Sequence, residues 1–286
     1  MSPVSTISGL RQVTVTAPEG VWIPRDERAS GQDTLTLRQA LLESNNAAAV
    51  LLQQRVGSRP VLRLATDLGV TDQPDVPSLA LGSGLVTPLD LTVAFAVFPT
   101  LGYRVHPRGL VSVEDADGDL VSRVNIESEQ VLSPQVSFQM LTMLEDVIDR
   151  GTGASARRLG VHGAVGGKTG TTNDYRDAWF VGFNSAVVAG VWAGFDQPEK
   201  IRDGATGAQV ALPIWADFMR RTAGRLQGHA FQPPGDLRTE ELCHVSYLRP
   251  GDACPTYVEY FKDDDDIPSR LCTIHRGPMK QRAQRA

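Results

Sequence analysis

The stretch "GGKTGTTNDYRDAWFVGFNSAVVAGVWAGFD", Gly166 to Asp196, restricts the possible folds more than any other part of the chain. "DAWFVGFN" and "AVVAGVWAGFD" are short, rich in valine and aromatics, and joined at Asn184-Ser185, so they predict two paired antiparallel strands. The Gly-Gly-Lys-Thr ahead of them has a rival reading as a phosphate cradle. A Walker A loop needs G-x-x-x-x-G-K-[ST], and counting back from Lys168 the position of the first glycine holds His162. Such a loop must also open a helix, whose N-terminus supplies aligned N–H groups. Here Asn173-Asp174 marks a turn and a strand follows. The phosphate reading fails on both counts.

As a strand facing a groove, Lys168-Thr169-Gly170-Thr171 offers a positive charge, two hydroxyls and one residue without a side chain. That set can hold a peptide carboxylate while the ligand backbone lies alongside as an added strand. At Gly170 a side chain would obstruct so close an approach. A second element lies far upstream in "TLTLRQALLESNNAAAVLLQQRVG". Leu37, Ala40 and Leu41, then Ala47, Val50 and Leu51, follow helical spacing, with Gly57 as a stop. Ser44, Asn45 and Asn46 sit between them and compete for the backbone, which predicts two helices with a break, the second one capped by this group. A serine in a cleft can pass a proton to a leaving amine, and an asparagine amide can both accept and donate toward a peptide bond.

Helix starts are also expected at Thr87-Pro88, Ser133-Pro134 and, one residue looser, Ser58-Arg59-Pro60. "VSVEDADGDLVSRV" predicts a hairpin around Asp117-Gly118, and "GAQVALPIWADFMRRTA" a helix despite Pro213. Residues 1–33 read as extended, with a polar turn at "PRDERASGQD". From Gln232 onward, apolar periodicity fades. The expected organisation is therefore residues 1–231 as one domain and 232–286 as a cysteine-containing appendage, disordered at its basic end. Asp263–Asp266 is expected to be a solvated loop, because it lacks the spaced ligands of a calcium site.

A net charge of −5 with no Lys/Arg run argues against a nucleic-acid partner. Apolar stretches such as Leu91–Phe98 are too short to cross a bilayer, and "MSPVSTISGLRQV" has no signal-peptide pattern. Cys243, Cys254 and Cys272 are odd in number and cannot all pair. A Cys243–Cys254 disulfide and plain structural cysteines both remain open. His275 would complete a Cys3His set, but the absence of a Cys-x-x-Cys knuckle points away from zinc, and no metal is expected.

"TLTLRQALLESNNAAAVLLQQRVG", "SLALGSGLVTPLDLTVAFAVFPTLGYRVHP" and "GGKTGTTNDYRDAWFVGF" together resemble the transpeptidase domain of class A penicillin-binding proteins, over most of residues 15–225. S-x-N and KTG also recur together in serine enzymes that react with penicillin. The resemblance implies an α+β fold, the penicillin-binding transpeptidase / serine β-lactamase-like fold, with an antiparallel sheet packed with helices and the N-terminal strands missing. It implies peptidoglycan D,D-transpeptidase activity, in which a D-Ala-D-Ala stem peptide acylates a serine and an amine resolves the ester. Peptidoglycan stem peptide and β-lactams are the implied partners. Ser44 would relay a proton, Asn46 would contact the donor amide, and Lys168 would supply positive potential and a link to Ser44. Thr169 and Thr171 would hold the carboxylate beside Gly170 and Thr172, and the Thr171 N–H would form half of the oxyanion hole. Such catalysis needs no metal and no organic cofactor.

The chain departs from the family pattern in one respect. The nucleophile and base lie in S-x-x-K, and no serine here has lysine three residues on. The sequence is therefore expected to be the C-terminal piece of a longer protein, inactive and poorly folded alone, with an exposed sheet edge. The parent would carry a membrane anchor and a glycosyltransferase domain and act on the periplasmic, extracytoplasmic face of the membrane. The alternative is a non-catalytic penicillin-binding-like pseudoenzyme that binds stem peptide or a partner protein. A β-lactamase would need a positioned deacylating glutamate, and a Ser-His-Asp hydrolase a G-x-S-x-G elbow that is absent.

Overall fold

The structure is a computed structural model that describes residues 1–17, 20–24 and 31–275. Its first part consists of short strands, β1 (Thr6–Ser8), β2 (Val15–Ala17), β3 (Gly20–Trp22) and β4 (Thr34–Thr36), with β1 paired to β4 and β2 to β3. The region is extended, as its alternation predicts, while residues 25–30 of the polar turn lie outside the described residues. Thr36 then starts α1 (Leu37–Glu43) with a capping box, its hydroxyl accepting from the Gln39 N–H while the Gln39 side chain returns to the Thr36 N–H. After the break comes α2 (Asn46–Val56), capped by Asn45 and stopped at Gly57, whose φ of 84° suits glycine. Ile7, Leu35, Ala48 and Val50 from these elements form one buried cluster.

α3 (Ser58–Asp67) and α4 (Pro88–Phe95) follow. Thr87 caps α4 and Pro88 occupies its first turn, as expected from the sequence; α3 begins at Ser58 itself, one residue earlier than a Ser58 cap would place it. β5 (Tyr103–Val105) pairs with β8 (Ser128–Gln130) around the predicted hairpin of β6 (Ser112–Glu114) and β7 (Leu120–Arg123). Ser133-Pro134 opens the long helix α5 (Pro134–Arg150), and the one-turn α6 (Ser155–Arg158) comes after it.

The central sheet has the order β11-β10-β9, all antiparallel: β9 (Gly166–Thr171), β10 (Ala178–Phe183) and β11 (Val188–Ala193). The Gly-Gly-Lys-Thr segment is thus strand, not the mouth of a helix. The turn into β11 is held by Asn184, whose carboxamide oxygen accepts from the Ala186 and Val187 N–H groups. Register assigns the two faces. Gly166, Lys168 and Gly170 share a face with their partners Phe183, Val181 and Trp179, and Phe183 packs with Leu141 and Leu144 of α5. Gly167, Thr169 and Thr171 lie on the other face, where Phe180 meets Trp215 of α7 (Ala211–Thr222) with ring centroids 4.8 Å apart. Glycine is required at 182, since a Cβ there would fall 2.7 Å from the Trp215 ring. Each of these fully buried aromatics contributes on the order of 2–3 kcal/mol. Among the described residues, β9 and β11 each leave one edge without a partner strand.

The segment from residue 232 is more ordered than its fading periodicity suggests. β12 (Arg238–Cys243) and β13 (Thr256–Phe261) form a hairpin whose Leu242 and Phe261 pack with Tyr247 and with Val4 from the other end of the chain. Arg38, 2% exposed, spans from α1 to this hairpin. Its Nε and Nη2 donate to Glu259 at 2.9 and 2.7 Å, and its Nη1 donates to Asp146 at 2.8 Å. Burial pulls the Arg38 pKa down, but the charge and hydrogen bonds of Glu259, with Asp146, hold it above the ordinary arginine value. Asp263–Asp266 is only partly a solvated loop: Asp265 is buried, accepting from the Gln139 Nε2 and the Lys262 N–H. The basic end beyond residue 275 lies outside the described residues.

Candidate active site

Ser44 terminates α1 in a left-handed backbone conformation, φ 56° and ψ 48°, which costs a β-carbon residue on the order of 1 kcal/mol or more. The break is fixed on both sides: the Ser44 N–H returns to Ala40 and Leu41 carbonyls, and the Asn45 carboxamide accepts from the Ala48 N–H at 2.8 Å. Three successive side chains therefore diverge. Asn45 caps, Asn46 starts α2, and Ser44 is left exposed toward β9.

Lys168 reaches across to it, its Nζ donating to Ser44 Oγ at 2.8 Å and to its neighbour's carbonyl, Thr169 O, at 3.1 Å. The lysine is half-buried. Burial lowers its pKa to about 8. Among the described residues no carboxylate forms an ion pair with Lys168, and none of them compensates its charge. A half-buried cation of this kind favours an incoming anion.

The threonines separate. Thr169 Oγ1 lies 2.9 Å from Thr152 Oγ1, and Thr152 in turn follows α5 with its N–H on the Leu42 carbonyl of α1 at 3.3 Å. Lys168 and Thr169 thus straddle the free edge of β9 beside the end of α1, despite pointing to opposite faces of the strand. Thr171 Oγ1 accepts from the Gly207 N–H at 3.0 Å, which leaves its own hydroxyl hydrogen available to a ligand. Thr172 is committed elsewhere: its hydroxyl donates to Asp177 at 3.1 Å and accepts from the Asp177 N–H at 2.8 Å, closing the turn into β10. The structure therefore brings Ser44, Lys168 and Thr169 together, sets Thr171 two residues further along the same strand, and ties Thr172 into the turn.

Two residues of this region escape sequence reasoning. Thr152 carries only a weak signal, a Gly-Thr-Gly after a helix end. Gly207 lies against the strand itself, where a Cβ would sit 2.5 Å from the Gly170 carbonyl oxygen and 2.2 Å from that of Trp179. A separate cavity of about 660 Å³, lined by Val70, Thr71, Ser83, Leu85 and Asp90 among others, includes none of these residues.

An S-x-N break facing a K-T-G edge strand, between a helical layer on each side of the sheet, defines a class: the penicillin-reactive serine acyltransferases. The description "penicillin binding protein transpeptidase domain" matches residues 18–220, and the chain belongs to that family. Its relatives place it with the class A members. The chain is 37% identical over 236 residues to penicillin-binding protein 1A of Aquifex aeolicus (strain VF5), covering 82% of this chain and 32% of that protein. Penicillin-binding protein 1A of Neisseria gonorrhoeae is 35% identical over 225 residues, covering 76% and 28%. The chain thus spans about a third of the length of the curated relatives it matches. The crystal structure of penicillin-binding protein 1A from Haemophilus influenzae superposes with a TM-score of 0.85 at 20% identity, covering 95% of this chain and 46% of that one. A penicillin-binding protein A from M. tuberculosis, solved as a ceftriaxone acyl-enzyme, matches with a TM-score of 0.63, 20% identity, and coverage of 77% and 56%. The penicillin-binding transpeptidase fold expected from the sequence is the fold of this chain.

Proposed function

We propose that the α1–α2 break and the free edge of β9 form the donor-holding part of a peptidoglycan D,D-transpeptidase site, which β-lactams also enter. The observation that carries this reading is the Lys168 ammonium, 2.8 Å from Ser44 Oγ on an unpaired strand edge. A stem peptide ending in D-Ala-D-Ala adds along β9 as a strand, Gly170 giving its backbone room. Its terminal carboxylate lies near the Lys168 charge and the Thr169 and Thr171 hydroxyls, and Asn46 meets the donor amide. Acyl transfer to a serine releases the terminal D-Ala amine, which needs a proton. Ser44 supplies it, because Lys168 already donates to the Ser44 oxygen and leaves the serine hydrogen free to move to the leaving nitrogen. Lys168, with its pKa near 8, returns a proton to Ser44 and takes up the one that the attacking serine hydroxyl loses, so the relay ends as it began. The Thr171 N–H faces the developing oxyanion. Thr172, in this reading, shapes the turn beside the carboxylate subsite.

The nucleophile is not among residues 1–286, since no serine has a lysine three positions on. Membrane association and a glycosyltransferase partner domain, at the outer face of the cytoplasmic membrane, complete the proposal. Its test is labelling with a fluorescent penicillin of the natural gene product that carries this sequence. Wild type is expected to label, Lys168→Ala to label at least roughly 100-fold more slowly, and Ser44→Ala on the order of 10-fold more slowly. A wild type that never labels overturns the reading in favour of a non-catalytic binding module. The 286-residue chain alone is expected to show no penicillin adduct by intact mass.

A further inference from the structure

The three cysteines and His275 converge at one corner of the C-terminal hairpin, although they are spread over Cys243, Cys254, Cys272 and His275 in sequence. Their four ligand atoms all lie within 4.8 Å of one another. Cys243 Sγ and Cys272 Sγ stand 3.4 and 3.5 Å from His275 Nδ1, and none of the three cysteines is joined in a disulfide. Around a tetrahedral zinc with its usual bond lengths, sulfur–nitrogen edges measure about 3.5 Å and sulfur–sulfur edges about 3.8 Å. The constellation has the size of such a polyhedron. A disulfide would draw two sulfurs to roughly 2 Å and leave the third thiol and the imidazole unused.

The backbone is arranged to receive thiolates. The Gly251 N–H donates to Cys254 Sγ at 3.2 Å. N–H groups offset the net negative charge that three thiolates and one divalent cation leave behind. Cys272-Thr-Ile-His275 is itself a tight knuckle of C-x-x-H form, overlooked when only Cys-x-x-Cys is sought. Pairing of Arg249 with Leu271, and the Cys272 N–H on the Arg249 carbonyl at 2.8 Å, holds the two halves in place.

We propose that Cys243, Cys254, Cys272 and His275 bind one structural zinc ion that clips residues 249–275 onto the β12–β13 hairpin. This reverses the expectation of no metal and does not depend on the transpeptidase reading. The four protein ligands fill a tetrahedron and leave no open position for substrate, so the ion's role is structural. Mixed thiolate and imidazole donors select zinc over magnesium or calcium. Cys243 is fully buried while the other three ligands are half-buried, so the ion can enter from solvent.

The test uses the full chain purified with reductant and without chelator. Elemental analysis is expected to find one zinc per chain, released stoichiometrically when an organomercurial blocks the thiols. Exchange for cobalt is expected to give the ligand-field and thiolate charge-transfer bands of a tetrahedral site. Cys272→Ser and His275→Ala are expected to lower zinc content at least roughly tenfold. Should a variant fail to fold, the wild-type release and the cobalt spectrum still decide. Absence of stoichiometric zinc after reduction and incubation with zinc chloride, an octahedral cobalt spectrum, or a Cys243–Cys254 disulfide in the isolated chain would each overturn the proposal.

Discussion

Replacing Lys168 with methionine should make this protein more stable at neutral pH. Burial holds the lysine at about 8 against an ordinary 10.5, so the folded chain binds this proton less tightly than the unfolded chain does. Stability is therefore lowest below pH 8, rises through the window from 8 to 10.5, and is relieved of the penalty above it. At pH 7 the charged lysine costs about 3 kcal/mol, from 1.36 kcal/mol per tenfold change in proton affinity. Methionine keeps the unbranched stem and removes the charge. It also loses the 2.8 Å hydrogen bond to Ser44. That bond contributes about 1 kcal/mol, and the exposed serine can turn to water instead. The net expectation is a gain of about 2 kcal/mol at pH 7, shrinking to about zero at pH 10, where the wild-type lysine has mostly released its proton. Urea unfolding of both proteins at the two pH values measures it, because the difference between them cancels every other titrating group. A Lys168→Met protein that is no more stable than wild type at pH 7, or whose advantage does not depend on pH, would refute the argument that burial is what tunes this lysine. A stabilised variant would show that keeping this lysine charged costs the fold stability.

Two other expectations concern α1 and α5. Arg38→Met should destabilise by about 3–5 kcal/mol, since it leaves the fully buried Glu259 without a cation, and Arg38→Met/Glu259→Leu should recover most of that in denaturant titrations. Glu145 is raised from 4.5 to about 7, first by burial and then by the nearby Asp149 and Asp146 charges. Its folded form holds the proton more tightly, so the stability it allows is complete below pH 4.5 and is lost as pH rises through 7. Glu145→Gln should flatten the loss across that window, by on the order of 2–3 kcal/mol in melts compared at pH 5 and pH 8.

Local chemistry made much of the fold legible. Proline in the first turn after Thr87 or Ser133 marks a helix start wherever it occurs, and the competition of Ser44 to Asn46 for the backbone marks a break. Valine and aromatic runs around Asn184-Ser185 can pair only as a hairpin. Lys168, Thr169 and Ser44 were legible as a candidate site because their types and order recur, and Lys168 does reach Ser44. Other features depend on contacts that no window of sequence contains. Arg38 finds Glu259 across 221 positions, and Gly207 reaches Gly170 only after the chain has crossed the sheet twice. β12 was missed because its first four residues, Arg238 to Glu241, are all exposed and polar; only Leu242 and Cys243 turn inward. Thr172 looked like a ligand for the same reason as its neighbours, and only the position of Asp177 reveals that its hydroxyl is already used. The Cys3His corner has no knuckle of closely spaced cysteines in the sequence, because pairing between segments brings its four residues together.

α1 is short and stiff, with Arg38 gripped by Glu259 near one end and Ser44 hydrogen-bonded to Lys168 just past the other. Six residues at about 1.5 Å each separate the two grips by roughly 9 Å. Trimming the gene at residue 231, a natural choice for anyone wanting only the part that looks like an enzyme, would unclamp this rod at its rear. Lower stability in such a shortened protein would then report a slackened support under α1, set by the lost Glu259 grip on Arg38.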